Sequence, residues 1–275
     1  MIANARMYGV TPAVESLWRS LLTAIIGVSG MQIEVVDHPE PEPIDALWRR
    51  PDLGAVFMCG LPFARSSPAP LLLAAPVPSG AEYGGQAIYW SEFIVRADSS
   101  ARTLQETFGH RIALTVPESQ SGCLAALTFL MAAGRAAPLF GEVVPPAITP
   151  LGALHAVLRG DAEVAPLDSY ALALLHRHRP DLTAQVRVVG RTLPTPIPPL
   201  VASYDGIEPL RSAFLDAHRD SRTRSLMEPL CLQRFVPTAA GEYQVLREEH
   251  RRTAAFWRTH RFASVVDPAF AAICG

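Results

Sequence analysis

Along most of this chain, short apolar runs alternate with segments whose apolar residues recur at helical spacing, and Gly- or Pro-containing turns separate them. That alternation predicts an α/β protein with mostly parallel sheets. Ala3 to Tyr8 predicts a first strand, and Thr11-Pro12 reads as an N-cap with proline at the first helical position. The helix that follows places Val14, Leu17, Trp18, Leu21, Leu22 and Ile25 on one face. Further strands are expected over 32–36, 54–58, 71–75, 112–115, 141–144, 162–168 and 187–189, with helices over 44–50, 151–159 and 169–178. Pro39–Pro43 reads as a loop. Thr103-x-x-Glu106 has capping-box spacing for a short helix closed by Gly109. From Gly206 onward the pattern is mainly helical, over 207–218, 222–230 and 242–260.

Two stretches break the rhythm. Residues 87–99 form an unusually long extended run, and 191–203 carry prolines so close together that neither a helix nor a central strand fits. A complete α/β unit lies between them. This outline predicts a lobe, 89–200, inserted into a discontinuous one, 1–88 with 201–275, with hinge segments near 87–99 and 191–203. In such a protein the ligand site is expected in the cleft, where open α/β sheets bind at the carboxyl ends of their strands.

The strand ends carry the chemistry. In the segment from His110 to Arg135, the strand-like Ile112-Ala113-Leu114-Thr115 gives way to Ser119-Gln120-Ser121-Gly122 and then to an apolar helix-like run. One helix cap needs one side chain, and this turn offers several, so it is a candidate anion-binding turn in which Gly122 lets another group approach the backbone. Thr11 and Thr149 stand at similar junctions. Hydroxyls add donors without charge, and no arginine occupies these turns. Asp168 ends an apolar strand, where it could cap the next helix or receive a cationic or hydroxyl group. Tyr8 and Tyr89 could wall a pocket or simply pack, and Cys59 ends its strand at the same level.

Composition narrows the classes. The chain has 275 residues, 49% of them hydrophobic, with a net charge of −2, which argues against a nucleic-acid surface. All 24 basic residues are arginine, so Schiff-base chemistry and a Walker-type phosphate loop are excluded. The mixed-sign Arg247–Arg252 run reads as a solvated helix face. The four cysteines are far apart and the histidines lack ligand spacing, so neither a metal site nor a disulfide framework is indicated. No catalytic constellation, cofactor motif or membrane-inserting segment is found. The N-terminal stretch lacks the sequence of regions that makes a secretory leader, so the protein is cytoplasmic as written and periplasmic if a leader was removed.

The frame Tyr89-x-Ser91-x-x-Ile94-Val95-Arg96-Ala97-Asp98-Ser99, Gly109-x-Arg111-Ile112-Ala113, Ser119-Gln120-Ser121-Gly122, Arg159 to Ala165, Asp168, and Arg191-Thr192 leading into Pro198-Pro199-Leu200-Val201 resembles the phosphate, phosphite and phosphonate substrate-binding proteins of ABC transporters. The resemblance runs over about 3–245 in order. It implies the two-lobed type II periplasmic-binding-protein fold, a small anionic ligand and an ABC permease as partner. The anion turn maps onto Ser119, Gln120 and Ser121, the later acidic residue onto Asp168, and the first-strand aromatic onto Tyr8. Tyr89, Ser91, Gly122, Thr11, Cys59 and Thr149 complete the candidate ligand set. The chain departs from the pattern at Ala147-Ile148-Thr149-Pro150, where phosphonate binders often carry a histidine in a Gly-Ser-His-like turn. Two alternatives share the fold: a cytosolic enzyme acting on a chorismate-like carboxylate, and a cytosolic ligand sensor.

Overall fold

The computed structural model describes residues 1–40, 42–134 and 138–274; Pro41 of the expected 39–43 loop and Arg135 at the end of the apolar run after Gly122 lie outside the described residues. The chain divides into two units, Met1–Ile88 with Pro196–Gln244, and Tyr89–Thr195 with Val245–Gly275.

The first unit begins with β1 (Ile2–Asn4), which is shorter than its apolar run suggests. The Asn4 side chain accepts the Arg6 N–H at 2.8 Å, and residues 6–8 wind into a 3-10 turn in place of the expected strand end. Next comes α1 (Pro12–Ser29), capped as expected. Thr11 Oγ1 accepts the Val14 N–H at 3.2 Å, Pro12 opens the helix, and Gly30 closes it with φ +69°. Its face of Val14, Trp18, Leu21, Leu22 and Ile25 is buried, with Trp18 edge-on to Phe57 at 5.1 Å. Replacing Thr11 by Ala is expected to lower the unfolding free energy by about 1 kcal/mol in a urea titration.

The unit continues through β2 (Glu34–Val35), α2 (Ile44–Trp48), β3 (Leu53–Phe57), α3 (Gly60–Arg65) and β4 (Leu71–Pro78) to the short strand β5 (Ile88–Tyr89). The chain then builds the second unit from β6 (Ser91–Arg96), β7 (Arg111–Ala113), α4 (Ala125–Leu130), β8 (Phe140–Val144), α5 (Pro150–Arg159), β9 (Ala165–Asp168), α6 (Ser169–His178), α7 (Pro180–Thr183) and β10 (Val186–Arg191). The strand β11 (Thr195–Pro196) pairs with β5, and β12 (Leu200–Ala202) returns to the first sheet. There follow α8 (Glu208–Asp216), α9 (Ser221–Met227), β13 (Leu232–Val236), α10 (Ala240–Trp257), β14 (Ala263–Val266) and α11 (Ala271–Cys274).

The first unit's sheet has the order β13-β4-β12-β3-β1-β2. Its β1–β2 and β1–β3 ladders are parallel, as the alternation predicts, but β12 runs antiparallel between β3 and β4. The proline-rich segment thus does contain an interior strand, contrary to expectation. Its prolines end at Pro199, so Leu200, Val201 and Ala202 keep every N–H the ladders need. The strand β13, which the helical pattern of the C-terminal third concealed, pairs antiparallel with β4.

The second unit has two three-stranded sheets, antiparallel β10-β6-β9 and parallel β14-β8-β7. The expected boundary assigned everything after residue 201 to the first lobe, whereas Val245–Gly275 clusters with the second unit. The reason lies in its apolar residues. Trp257, Phe262, Phe270 and Cys274 are buried in the core that also holds Leu114, Cys123 and Leu127, and Trp257 Nε1 donates to the Leu127 carbonyl at 3.1 Å. Among the described residues no helix is long and apolar enough to cross a membrane.

Candidate functional site

The chain after β7 leaves its strand at Leu114-Thr115 and re-enters helix through Ser119. Ser119 Oγ accepts the Gly122 N–H at 3.0 Å, and the Leu124 N–H donates to the Ser119 carbonyl at 3.0 Å, so Gln120–Leu124 forms a π-helical turn before α4. Thr115 N–H donates to the Gly122 carbonyl at 3.0 Å. The same strand end holds a second loop: the Ala147 N–H donates to the Leu114 carbonyl at 3.0 Å. The turn at 119–122 and the start of α5 are therefore neighbours at the carboxyl end of the parallel strands β7 and β8, the end at which open α/β sheets bind ligands.

Three of the candidate residues, Ser91, Ser121 and Asp168, meet at this turn. Ser91 and Asp168 face each other in the β6–β9 ladder. Ser91 is fully buried and its hydroxyl donates to the Ser121 carbonyl at 2.5 Å. Ser121 in turn donates its own hydroxyl to Asp168 Oδ2 at 3.3 Å. Asp168 Oδ1 accepts the Tyr170 and Ala171 N–H groups at 2.8 and 2.9 Å, so it does cap α6 while its other oxygen serves Ser121. Asp168 is only 6% exposed. Burial pushes its carboxyl up to about 6 against the pull of the Ala171 and Tyr170 N–H groups and the Ser121 hydroxyl.

Gln120 is wholly buried and its amide lies beside Glu249 of α10. Burial pushes the Glu249 carboxyl up, while Arg252 and the Gln120 side chain draw it down. The Arg247–Arg252 run is thus not solvated throughout, as its mixed signs suggest. Arg251 and Glu248 pair in the open, whereas Glu249 is half-buried one helical step away.

At the second loop Thr149 caps α5, its Oγ1 accepting the Gly152 N–H at 3.1 Å. The residue before it, Ile148, has φ +59° and is 47% exposed. Thr149 N–H donates back to the Ala147 carbonyl at 2.6 Å, closing a tight turn around Ile148. A β-branched side chain in that left-handed region is strained. Ile148→Gly is therefore expected to stabilise the protein by about 1 kcal/mol, after the extra freedom glycine adds to the unfolded chain. An unchanged or lower urea midpoint would contradict this.

The remaining candidates lie elsewhere. Tyr89, 1% exposed, precedes β6 in the second unit. Tyr8, Thr11 and Cys59 belong to the first unit, at or just after the carboxyl ends of β1 and β3. Tyr8 is buried with its ring edge-on to Phe57 at 5.1 Å, and Cys59 is buried at the start of α3. Thr11 caps α1 through its oxygen, as Ser119 does at its own turn. Sequence reasoning passed over Thr115, Ser169 and Glu249. Ser169 Oγ accepts the Trp90 N–H at 3.2 Å, a contact 79 residues apart that local pattern does not signal. Among the described residues no three His, Cys, Asp or Glu side chains gather to hold a metal.

Residues 11–243 match the family of periplasmic substrate-binding proteins of phosphonate ABC transporters. No curated protein matches the chain. Among solved structures, a binding protein component of an ABC phosphonate transporter from Pseudomonas aeruginosa superposes with a TM-score of 0.75 at 16% identity, covering 93% of this chain and 88% of that one. PhnD1 from Prochlorococcus marinus in complex with methylphosphonate gives the same TM-score and identity over 91% of this chain and 96% of its own. XAC2383 from Xanthomonas citri bound to ATP is more distant, with a TM-score of 0.59 at 18% identity over 90% and 98% of the two chains. At these identities the structures establish a shared type II periplasmic-binding-protein fold.

Proposed function

This chain belongs to the family of periplasmic substrate-binding proteins of phosphonate ABC transporters, and from that premise we propose that it captures a small oxyanion, a phosphonate or phosphate-like compound, for delivery to an ABC permease. The family is one of transport binding proteins, so neither the enzyme nor the sensor alternative is favoured.

The observation that carries the reading is the built turn at Ser119–Gly122. Ser119 uses its oxygen as a cap acceptor, which leaves its hydroxyl proton for a guest. The Ser121 hydroxyl is held at Asp168, and the helix that follows adds the positive end of its dipole. The hydroxyl of Thr149 supplies a second capped helix start tied to the same strand end. Neutral donors of this kind suit an anion whose charge is spread over several oxygens, each charge-assisted bond being worth roughly 1.5–3 kcal/mol. Within the second unit Tyr89 precedes β6, and within the first unit Tyr8, Thr11 and Cys59 hold corresponding places at or just after strand ends, which is the ground for proposing each as a ligand contact of its own unit. That PhnD1 was solved with methylphosphonate supports beginning with that compound.

Calorimetric titration with methylphosphonate, phosphite and inorganic phosphate is the test. Saturable heat and a raised thermal midpoint with at least one are expected. No heat and no shift with any of the three would defeat the reading.

A further inference from the structure

Ser91 stands in the candidate ligand set, yet its side chain is fully buried and its proton is given to the Ser121 carbonyl. A hydroxyl so placed cannot reach a ligand without breaking that bond. Its other neighbours show what it does. The Ser91 N–H donates to Thr192 Oγ1 at 2.9 Å, and the Thr192 N–H donates to the Ser91 carbonyl at 3.0 Å. Thr192 Oγ1 passes its own proton to the Leu193 carbonyl at 3.2 Å and is itself buried. Ser91 lies just inside the point where the chain enters the second unit, after Ile88, and Thr192 just inside the point where it leaves, before Pro196. A chain of hydrogen bonds thus runs from both passages through Ser91 to the turn. A third passage, within α10 after Gln244, meets the same turn where Glu249 lies beside Gln120.

We propose that Ser91 and Thr192 are positioning residues that lock the Ser119–Gly122 turn to the two segments by which the chain enters and leaves the second unit, so that turn and segments open and order together. The lock exists in the protein alone; its consequence for capture, that an anion ordering the turn also orders both passages, rests on the function proposed above. The bonds concerned are buried, where an unmade partner is costly and a made one rigidifies. Neither residue needs to touch the ligand.

Hydrogen exchange read by mass spectrometry tests this without ligand. In the wild-type protein, peptides covering 88–92, 119–124 and 190–195 are expected to open as one unit, with the same dependence on urea. Thr192→Val, which removes the hydroxyl and keeps the shape, and Ser91→Ala are each expected to speed exchange at 119–124 by about tenfold. Thr192→Ser, which keeps the hydroxyl, is expected to restore protection. Turn amides that open independently of the passages in the wild type would overturn the inference, and so would a Thr192→Val variant with wild-type protection at 119–124. The wild-type measurement decides even if a variant does not fold. With methylphosphonate added, wild-type protection at 88–92 and 190–195 should rise together with that of the turn. Absence of methylphosphonate binding would count against the proposed function, whereas binding that protects only the turn would count against the lock.

Discussion

Gly122→Ala is expected to cost about 3 kcal/mol or more, and to abolish whatever the Ser119–Gly122 turn holds. A Cβ at this position would overlap Thr115 Oγ1 and lie 2.8 Å from both the Cβ and Cγ2 of Thr115. The usual escape, rotation of the neighbour, is closed. Thr115 is β-branched and 4% exposed, and its N–H is tied to the Gly122 carbonyl, so strand end and turn must separate together. Backbone strain is not the cause, since Gly122 sits within a helical turn and is not among the glycines with positive φ. The measurement is urea unfolding followed by far-UV circular dichroism. Thr115→Ala, which removes Oγ1 and Cγ2, is expected to recover part of the loss when combined with Gly122→Ala. A Gly122→Ala protein as stable as wild type would mean that the close approach of turn to strand is absent, and with it the geometry of the candidate site.

The glycine was legible in the sequence for a related reason: it follows two serines where a strand hands over to a helix, and such a place favours close backbone approach. Helix starts were legible too, because caps are local. Thr11-Pro12 and Thr103-x-x-Glu106 cap as their spacing predicts, the latter with both halves of the box in place. What the sequence hid was everything decided by distant partners. Leu200–Ala202 looks like the tail of a proline connector until β3 and β4 are known to flank it. The helical pattern over 242–260 gives no sign that α10 starts in one unit and ends in the other, because amphipathic spacing records burial and not what does the burying. Ser91 illustrates the same limit within the site. Its hydroxyl was recognisable as part of a motif, but only the register Ser91 to Asp168 and the contact with Ser121 reveal that it faces the turn from below.

Asp168 should make the second unit less stable as pH rises from 4 to 7. A carboxyl raised from 3.8 to about 6 in the folded protein binds its proton more tightly folded than unfolded. Its contribution is fully present below pH 3.8 and is lost as pH climbs through about 6, the stability lost by then being about 3 kcal/mol. The exposed pairs, such as Arg96 with Asp98 and Arg179 with Asp181, hold their carboxyls below the usual range and so act in the opposite sense at lower pH. Being fully solvated, they contribute little. Asp168→Asn separates the two. Asparagine is a good N-cap whose oxygen can still accept the Tyr170 and Ala171 N–H groups, and its amide can donate to Ser121, so the network survives without a charge. The variant is expected to match protonated wild type at pH 4 and to exceed wild type by about 3 kcal/mol at pH 7, in urea unfolding read at both values. A difference that stays constant over that range would mean that burial does not govern this carboxyl. If the proposed function holds, the same burial has a use: near pH 6 an oxyanion arriving beside Ser121 favours the protonated acid, which can donate where a carboxylate would repel. Protons would then be taken up on binding by wild type and not by Asp168→Asn, a difference that titration in buffers of unequal ionisation enthalpy reads directly.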